Sequence, residues 1–198
     1  MKGKVVLLSG GLDSSVCLWL ARQQGPVVAV NVDYGQQAAR TEQRMSIALA
    51  HRVEASYRFV DMREVGTMLA SSLTGGTDSP VVPGRNGLLL SVAAGIAATA
   101  HADEVWIGCN STDADLFPDC RSEFLYAMSE ALYSAYGVEV RAPLLAKTKV
   151  QVVELARSLG VPMSAVTTCY RGTDCGECRA CRVMTAAIEA ADFLSRIS

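Results

Sequence analysis

Four apolar residues, Val5 to Leu8, stop at Ser9-Gly10-Gly11. Apolar positions then resume at helical spacing, with Val16, Cys17, Leu20 and Ala21 on one face. The pattern predicts a buried strand, a tight turn and a helix, and the same alternation repeats downstream. Pro26 to Asp33 reads as a second buried strand, Gln36 to His51 as a helix carrying Met45, Ile47, Ala48 and Leu49, and Ser56 to Val60 as a third strand. Glu64 to Arg85 is broken by Gly75-Gly76, Pro80, Pro83 and Gly84, so its later half reads as a loop long enough to be a lid or substrate loop. Asn86 is expected to cap a helix from Gly87 to about Ala100 that is apolar nearly all round and hence central. Asp103 to Cys109 follows as a fourth strand, Asn110 to Asp119 as a polar loop and Ser122 to Ala135 as a helix. Val138 to Ala142 then reads as a short strand and Lys147 to Leu159 as an amphipathic helix. From Thr167 to Arg182 cysteine, glycine and charge displace periodic apolar residues, before a last helix from about Val183. This order predicts an α/β fold, a doubly wound parallel sheet with ligands at the carboxyl ends of its strands. Residues 1–166 are expected to form the main domain and 167–198 a small cysteine-bearing segment with the C-terminal helix. There is no internal repeat.

Composition narrows the function. Half of the 198 residues are hydrophobic and 19% are charged, enough to bury a core, and no apolar run is long enough to span a bilayer. The Met1-Lys2-Gly3-Lys4 start leads into a strand with no export signal, so a cytoplasmic location is expected. A net charge of −2 offers no global basic field for nucleic acid, which leaves a small-molecule substrate as the default. Seven cysteines without a signal peptide point to a reducing compartment rather than a disulfide framework. Cys17, Cys109 and Cys120 are scattered, whereas Cys169, Cys175, Cys178 and Cys181 are clustered.

Candidate chemistry concentrates in three places. At the first turn, Gly10 and Gly11 permit close backbone approach, Asp13 or Ser14 can cap the helix, and free N–H groups with the helix dipole suit a polyphosphate. The alternative is a turn that needs glycine for packing alone; neither a Walker A loop nor a GxGxxG fingerprint is present. The run Cys169-x5-Cys175-x2-Cys178-x2-Cys181, with Gly172 and Gly176 for sharp turns, can close a tetrahedral site of four thiolates. Structural zinc leads, with an iron–sulfur cluster and a redox CxxC as competitors. Polar residues gather at predicted strand ends and loops: Asp33, Tyr34, Gly35 and Gln36; Arg85 and Asn86; Asn110, Asp113 and Asp119; and Lys147. Each alone has a plain reading, Asn86 and Asp119 as helix caps and Lys147 as a solvated charge.

The string Ser9 to Ser14 resembles the SGGxDS signature of the PP-loop ATP pyrophosphatases, which cut ATP between the α and β phosphates. VDYGQ, VPGRN, FPDCR and PLLAK, followed by the four-cysteine run, are similar to the signature series of the 7-cyano-7-deazaguanine synthase family, often called QueC. The resemblance spans Val5 to Arg182. It implies an ATP-dependent ligase that turns 7-carboxy-7-deazaguanine and ammonia into the nitrile through an adenylated carboxylate and an amide, using a second ATP. On that reading Ser9, Gly10, Gly11, Leu12, Asp13, Ser14 and Ser15 hold the leaving pyrophosphate, and Mg2+ bridges the phosphates with Asp13 as an indirect partner. Lys147 stabilises charge at the α-phosphate, and Arg85 holds a phosphate or the substrate carboxylate. Asp113 or Asp119 accepts protons or reads the base, and Tyr34, Gln36, Asn86 and Asn110 complete the substrate site. Zn2+ on the four cysteines is structural, and a homodimer is expected.

The chain departs from the family pattern in two places. Gln37 and Ala38 stand where the family commonly has a basic residue and histidine. Asp115, Leu116 and Phe117 stand where it usually has serine, glycine and tyrosine. A lost glycine restricts the backbone and a lost tyrosine removes a hydroxyl. A variant stopping at 7-amido-7-deazaguanine is therefore the second reading, and a PP-loop tRNA sulfurtransferase is the alternative from another class.

Overall fold

The computed structural model describes residues 2–68, 71, 73, 74 and 80–197; the Gly75-Gly76 part of the expected loop lies outside them. Five parallel strands form one sheet: β1 (Gly3–Leu7), β2 (Val27–Asp33), β3 (Ser56–Asp61), β4 (Ala102–Trp106) and β5 (Glu139–Arg141). Their spatial order is β3-β2-β1-β4-β5, so the chain winds outward one way to β3 and then the other way to β5. The reversal lies between β1 and β4, and in such sheets the crevice at that switch point is where ligands bind.

Both faces of β1 are covered, as its unbroken apolar run requires. Val6 and Leu8 enter one core with Leu12 and Val16 of α1 (Leu12–Gln23), Leu49 of α2 (Ala39–Arg52) and Val152 of α7 (Lys149–Ser158). The same core takes in Ala187 and Ala191 of α8 (Arg179–Ile197). Val5 and Leu7 enter the opposite core with Leu90, Ala93 and Ala97 of α4 (Arg85–Thr99) and Leu125 of α6 (Ser122–Tyr136). Among the described residues the two remaining α-helices are single turns, α3 (Arg63–Gly66) and α5 (Ser111–Ala114). Among the described residues no helix is long and apolar enough to cross a membrane.

Four helix starts differ from expectation: α2 begins at Ala39 rather than Gln36, and the other three differ for local reasons. Helix α4 begins at Arg85 behind Gly84, whose φ of +75° suits glycine, and Asn86 is not its cap. Its side chain instead donates inward to the Asp119 carbonyl at 3.0 Å and to Cys120 Sγ at 3.4 Å. Helix α7 begins at Lys149, because Thr148 and Gln151 form a reciprocal capping box that leaves Lys147 in the preceding turn. Helix α8 starts four residues before Val183, with Cys181 in its first turn, so metal loop and helix overlap. Within the expected polar loop, Asn110 caps α5 by accepting from the Thr112 and Asp113 amides. Asp119 does not cap the helix that follows it; its carboxylate accepts from the Asn86 backbone amide in the first turn of α4, at 3.1 Å.

Candidate active site

The glycine turn owes its shape to one residue in particular. Gly10 has φ +76°, and a Cβ there would sit 2.8 Å from Met45 Cβ, so no side chain fits. Gly11 has φ −74° and stands at the helix N-cap without a side-chain cap. Its amide reaches Ser9 Oγ at 3.3 Å, and its carbonyl accepts from Ser14 Oγ at 3.0 Å and Ser15 Oγ at 2.7 Å. The hydroxyls are thereby spent on the turn itself, while the first-turn amides of Leu12, Asp13 and Ser14 have no acceptor within the helix. Gly108, just past β4, lets this turn approach the sheet; a Cβ on it would lie 2.7 Å from Ser14 N. Alongside runs Thr167, whose amide donates to the Gly10 carbonyl at 2.8 Å and whose buried hydroxyl has no partner among the described residues. Open amides and an orphaned buried hydroxyl fit a phosphate-bearing ligand.

Behind the turn lies a compact charge cluster. Lys149 Nζ meets Asp13 Oδ2 at 2.5 Å. The Asn110 amide nitrogen donates to Asp13 Oδ1 at 2.9 Å and to Asp113 Oδ2 at 2.6 Å, bridging two carboxylates with one buried side chain. Burial pushes Asp113 up and Asp13 adds to the rise, while Lys149 pulls it down. Burial works against the Lys149 ammonium, but Asp13 and Asp113 hold it above its ordinary value. The cluster therefore sets a charged ammonium beside a carboxyl that takes up a proton more easily than an exposed aspartate.

The opposite wall is built from β2, α2, α4 and the loop after α5. Arg85 Nη1 donates to the Tyr34 hydroxyl at 3.4 Å, and its guanidinium lies 5.8 Å from the centroid of the buried Phe117 ring. Leu116 packs against the sheet core and does not need a positive φ, so its side chain is accommodated without strain. Gln36 accepts from the Tyr34 amide at 2.9 Å and donates to the Val32 carbonyl at 3.1 Å and to Glu42 Oε2 at 2.8 Å.

These walls enclose a cavity of about 290 Å³. Of the residues expected from sequence, Ser9, Gly11, Leu12, Asp13, Ser14, Tyr34, Gln36, Arg85, Asn86, Asp113 and Cys169 line it. Gly10, Ser15, Asn110 and Asp119 stand behind the lining residues. Lys147 does not line the cavity, and its carbonyl accepts from the amide and hydroxyl of Ser111. Lys149, Glu42, Arg179, Tyr170 and Thr167 line it without having been singled out from sequence. Lys149 had a signal, the Thr148-x-x-Gln151 box that marks it as the first helical residue. Glu42 had none, since an acidic residue in the first turn of an amphipathic helix is ordinary.

The four clustered cysteines converge: all four sulfurs lie within 4.8 Å of one another, with Cys169 and Cys175 Sγ 3.6 Å apart. Backbone amides of Cys175 and Cys178 point at the sulfurs of Cys169 and Cys175 at 3.5 and 3.4 Å. Burial opposes ionisation of Cys169, yet the amides of Cys175, Thr173 and Arg171 pull it down to about 6. A single tetrahedral ion with metal–sulfur bonds of about 2.3 Å needs sulfur separations of about 3.8 Å, which this cluster fits. The four can hold a metal, and Cys169 ties that centre to the cavity wall.

A family model described as queuosine biosynthesis protein QueC matches residues 3–192. The chain belongs to the QueC family. The 7-cyano-7-deazaguanine synthase of a Nitratiruptor species is 34% identical, the match covering 98% of this chain and 96% of that protein. That of Desulfotalea psychrophila is 35% identical over 91% of each chain. Among solved structures, the NMN synthetase of Francisella tularensis superposes with a TM-score of 0.60 at 18% identity, over 98% of this chain and 77% of that one. The U34-tRNA thiolase NcsA from Methanococcus maripaludis with its 4Fe–4S cluster gives 0.56 at 18% identity, over 98% and 72%. These structural likenesses establish the shared fold of the QueC chain, and relatives named 7-cyano-7-deazaguanine synthase indicate an enzyme.

Proposed function

We propose that this QueC-family chain joins 7-carboxy-7-deazaguanine and ammonia at the expense of ATP to give 7-cyano-7-deazaguanine, AMP and pyrophosphate. The observation that carries this reading is a single cavity with an open-amide helix start and the Lys149–Asp13–Asp113 cluster on one wall. Facing it stand Tyr34, Arg85 and Phe117.

A carboxylate is a poor electrophile, so its oxygen attacks the α-phosphorus and pyrophosphate leaves toward the amides of Leu12, Asp13 and Ser14. The Lys149 ammonium, rather than Lys147, neutralises charge growing at the α-phosphate. Asp13 would help to hold Mg2+, which would supply positive charge to the phosphates. Ammonia then attacks the acyl carbon, the C–O bond to AMP breaks, and the amide forms. In the second round the amide oxygen takes an adenylyl group from another ATP. Loss of two protons from nitrogen and of AMP from carbon leaves the nitrile, and Asp113 is placed to receive a proton. Arg85 holds the substrate carboxylate, and Phe117 gives the base an apolar wall. The four cysteines would hold structural Zn2+, since four thiolates leave no open position. The thiol-rich chain fits a reducing cytoplasm and small-molecule partners.

The test is mass spectrometry of a time course with 7-carboxy-7-deazaguanine, ammonium, ATP and Mg2+. Transient amide giving way to nitrile, with AMP released in both steps, is the expected result. Absence of AMP formation would overturn the reading. Amide accumulating without nitrile would favour the amide-forming variant, for which the specific observation is Phe117, a cavity wall lacking the hydroxyl a tyrosine would supply.

A further inference from the structure

Glu42 is the cavity carboxylate that the mechanism above does not use. It stands in the first turn of α2 and faces the cavity from the end of β2. One of its oxygens accepts from Gln36 Nε2 at 2.8 Å; the other has no hydrogen-bond partner among the described residues. Gln36 is itself buried, and both its amide hydrogens are committed inside the protein, one to the Val32 carbonyl and one to Glu42. Its side-chain oxygen accepts from the Tyr34 amide. Gln36 thus has little left to offer a ligand and serves to hold Glu42, whose remaining lone pairs are open to the cavity.

An ionised carboxylate only accepts hydrogen bonds, so its ligand must present donors. The purine-like base named above presents two adjacent ones, the ring N–H and the 2-amino group, spaced for a bidentate carboxylate contact. The adenine of ATP presents one donor beside one acceptor, which matches a protonated carboxyl or an amide instead. Resting on the proposed substrate, we propose that Glu42, held by Gln36, reads the two-donor edge of the 7-deazaguanine ring and sets specificity for that base.

The electrostatics support the assignment and supply a test. Burial pushes the Glu42 carboxyl up to about 7; the Gln36 hydrogen bond and Arg85 pull it down, and Asp33 adds to the rise. Arg85 from α4, Asp33 at the end of β2 and the Tyr34 hydroxyl are the charged and titratable groups around it. Two donors favour the ionised form, so base binding strengthens as pH rises through 7 and releases part of a proton. The ionised fraction of such a group rises roughly eight- to tenfold between pH 6 and 8, and affinity for the base follows it.

The experiment is calorimetric titration of the full-length protein with 7-carboxy-7-deazaguanine, and separately with ATP and Mg2+, for the wild type, E42Q and Q36A. Glu42→Gln is expected to weaken the base roughly 10- to 100-fold while ATP changes less than about twofold, because a charged acceptor pair becomes one acceptor and one opposed donor. The rise in base affinity with pH disappears in that variant. For Gln36→Ala the midpoint of the pH profile moves upward, since a hydrogen bond that favours ionisation is gone; an unmoved midpoint overturns the part assigned to Gln36. The wild type alone gives an independent measure, proton release on base binding, read from titrations in buffers of different ionisation enthalpy. Unchanged base affinity in E42Q, loss confined to ATP, or proton uptake on base binding would overturn the inference while leaving the catalytic reading intact. A wild type that binds no 7-carboxy-7-deazaguanine would overturn both.

Discussion

Replacing Lys149 by methionine removes the only cation bonded to Asp13 among the described residues. The Lys149 and Asp13 side chains are 13% and 16% exposed, so the carboxylate left behind is poorly hydrated. Asn110 remains as a donor, but it is shared with Asp113, and two carboxylates then face each other across one amide. Breaking a fully buried pair costs about 3–5 kcal/mol, and the open cavity beside this one places it nearer 2–4 kcal/mol. For a chain of this size each kcal/mol moves the melting temperature by about 2–4 °C, so the Lys149→Met protein should melt roughly 5–15 °C lower at pH 7. The sign of the pH dependence follows from Asp113. Burial already raises its carboxyl in the folded state, Lys149 restrains the rise, and the variant loses that restraint. A carboxyl with a raised folded pKa binds more protons folded than unfolded, so its ionisation costs stability as pH increases. The deficit should therefore be largest at pH 7 and shrink as pH falls toward 4. Differential scanning fluorimetry across that range measures it, with Lys147→Met as control, expected to stay within about 0.5 kcal/mol of wild type. AMP release by Lys149→Met should fall about 100-fold or more. A Lys149→Met protein that melts within about 2 °C of wild type, or a Lys147→Met protein equally impaired, would refute the reasoning.

Gly108→Ala places a Cβ 2.7 Å from Ser14 N and 2.8 Å from the Asp13 carbonyl carbon, both backbone atoms of the first turn of α1. The collision should cost about 1–3 kcal/mol in denaturant titrations and raise KM for ATP, whereas Gly95→Ala, an exposed helical position with open space around it, should gain up to about 1 kcal/mol. Elemental analysis of the purified protein should find one zinc per chain, lost in Cys178→Ser. Strong chelators should expose 167–182 to proteolysis, because that segment carries little apolar surface of its own; iron in place of zinc would redirect attention to sulfur chemistry.

Much of this protein follows from its sequence alone. Strand and helix order are written in apolar runs and periodicities, and the alternation of Val5 and Leu7 against Val6 and Leu8 already demands helices on both faces of the sheet. The glycine turn was legible because Gly10 and the first turn of α1 are contiguous, and the four cysteines because their spacing is local. What tertiary structure decided is which distant side chains share the cavity. Lys149 and Asp13 are 136 residues apart, Asn110 and Asp13 are 97 apart, and neither pairing leaves a mark in local sequence. Asn86 shows the converse: a residue with a capping identity is drawn inward because Asp119 and Cys120 offer it buried partners. Two lysines separated by Thr148 alone, Lys147 and Lys149, carry the same charge and helix propensity. The Thr148–Gln151 capping box sets where α7 begins, and with it which lysine reaches the carboxylates. Periodicity reports the burial of apolar groups, which repeats along the chain. The convergence of charges is a matter of strand order and helix phase, settled only when the sheet closes around them.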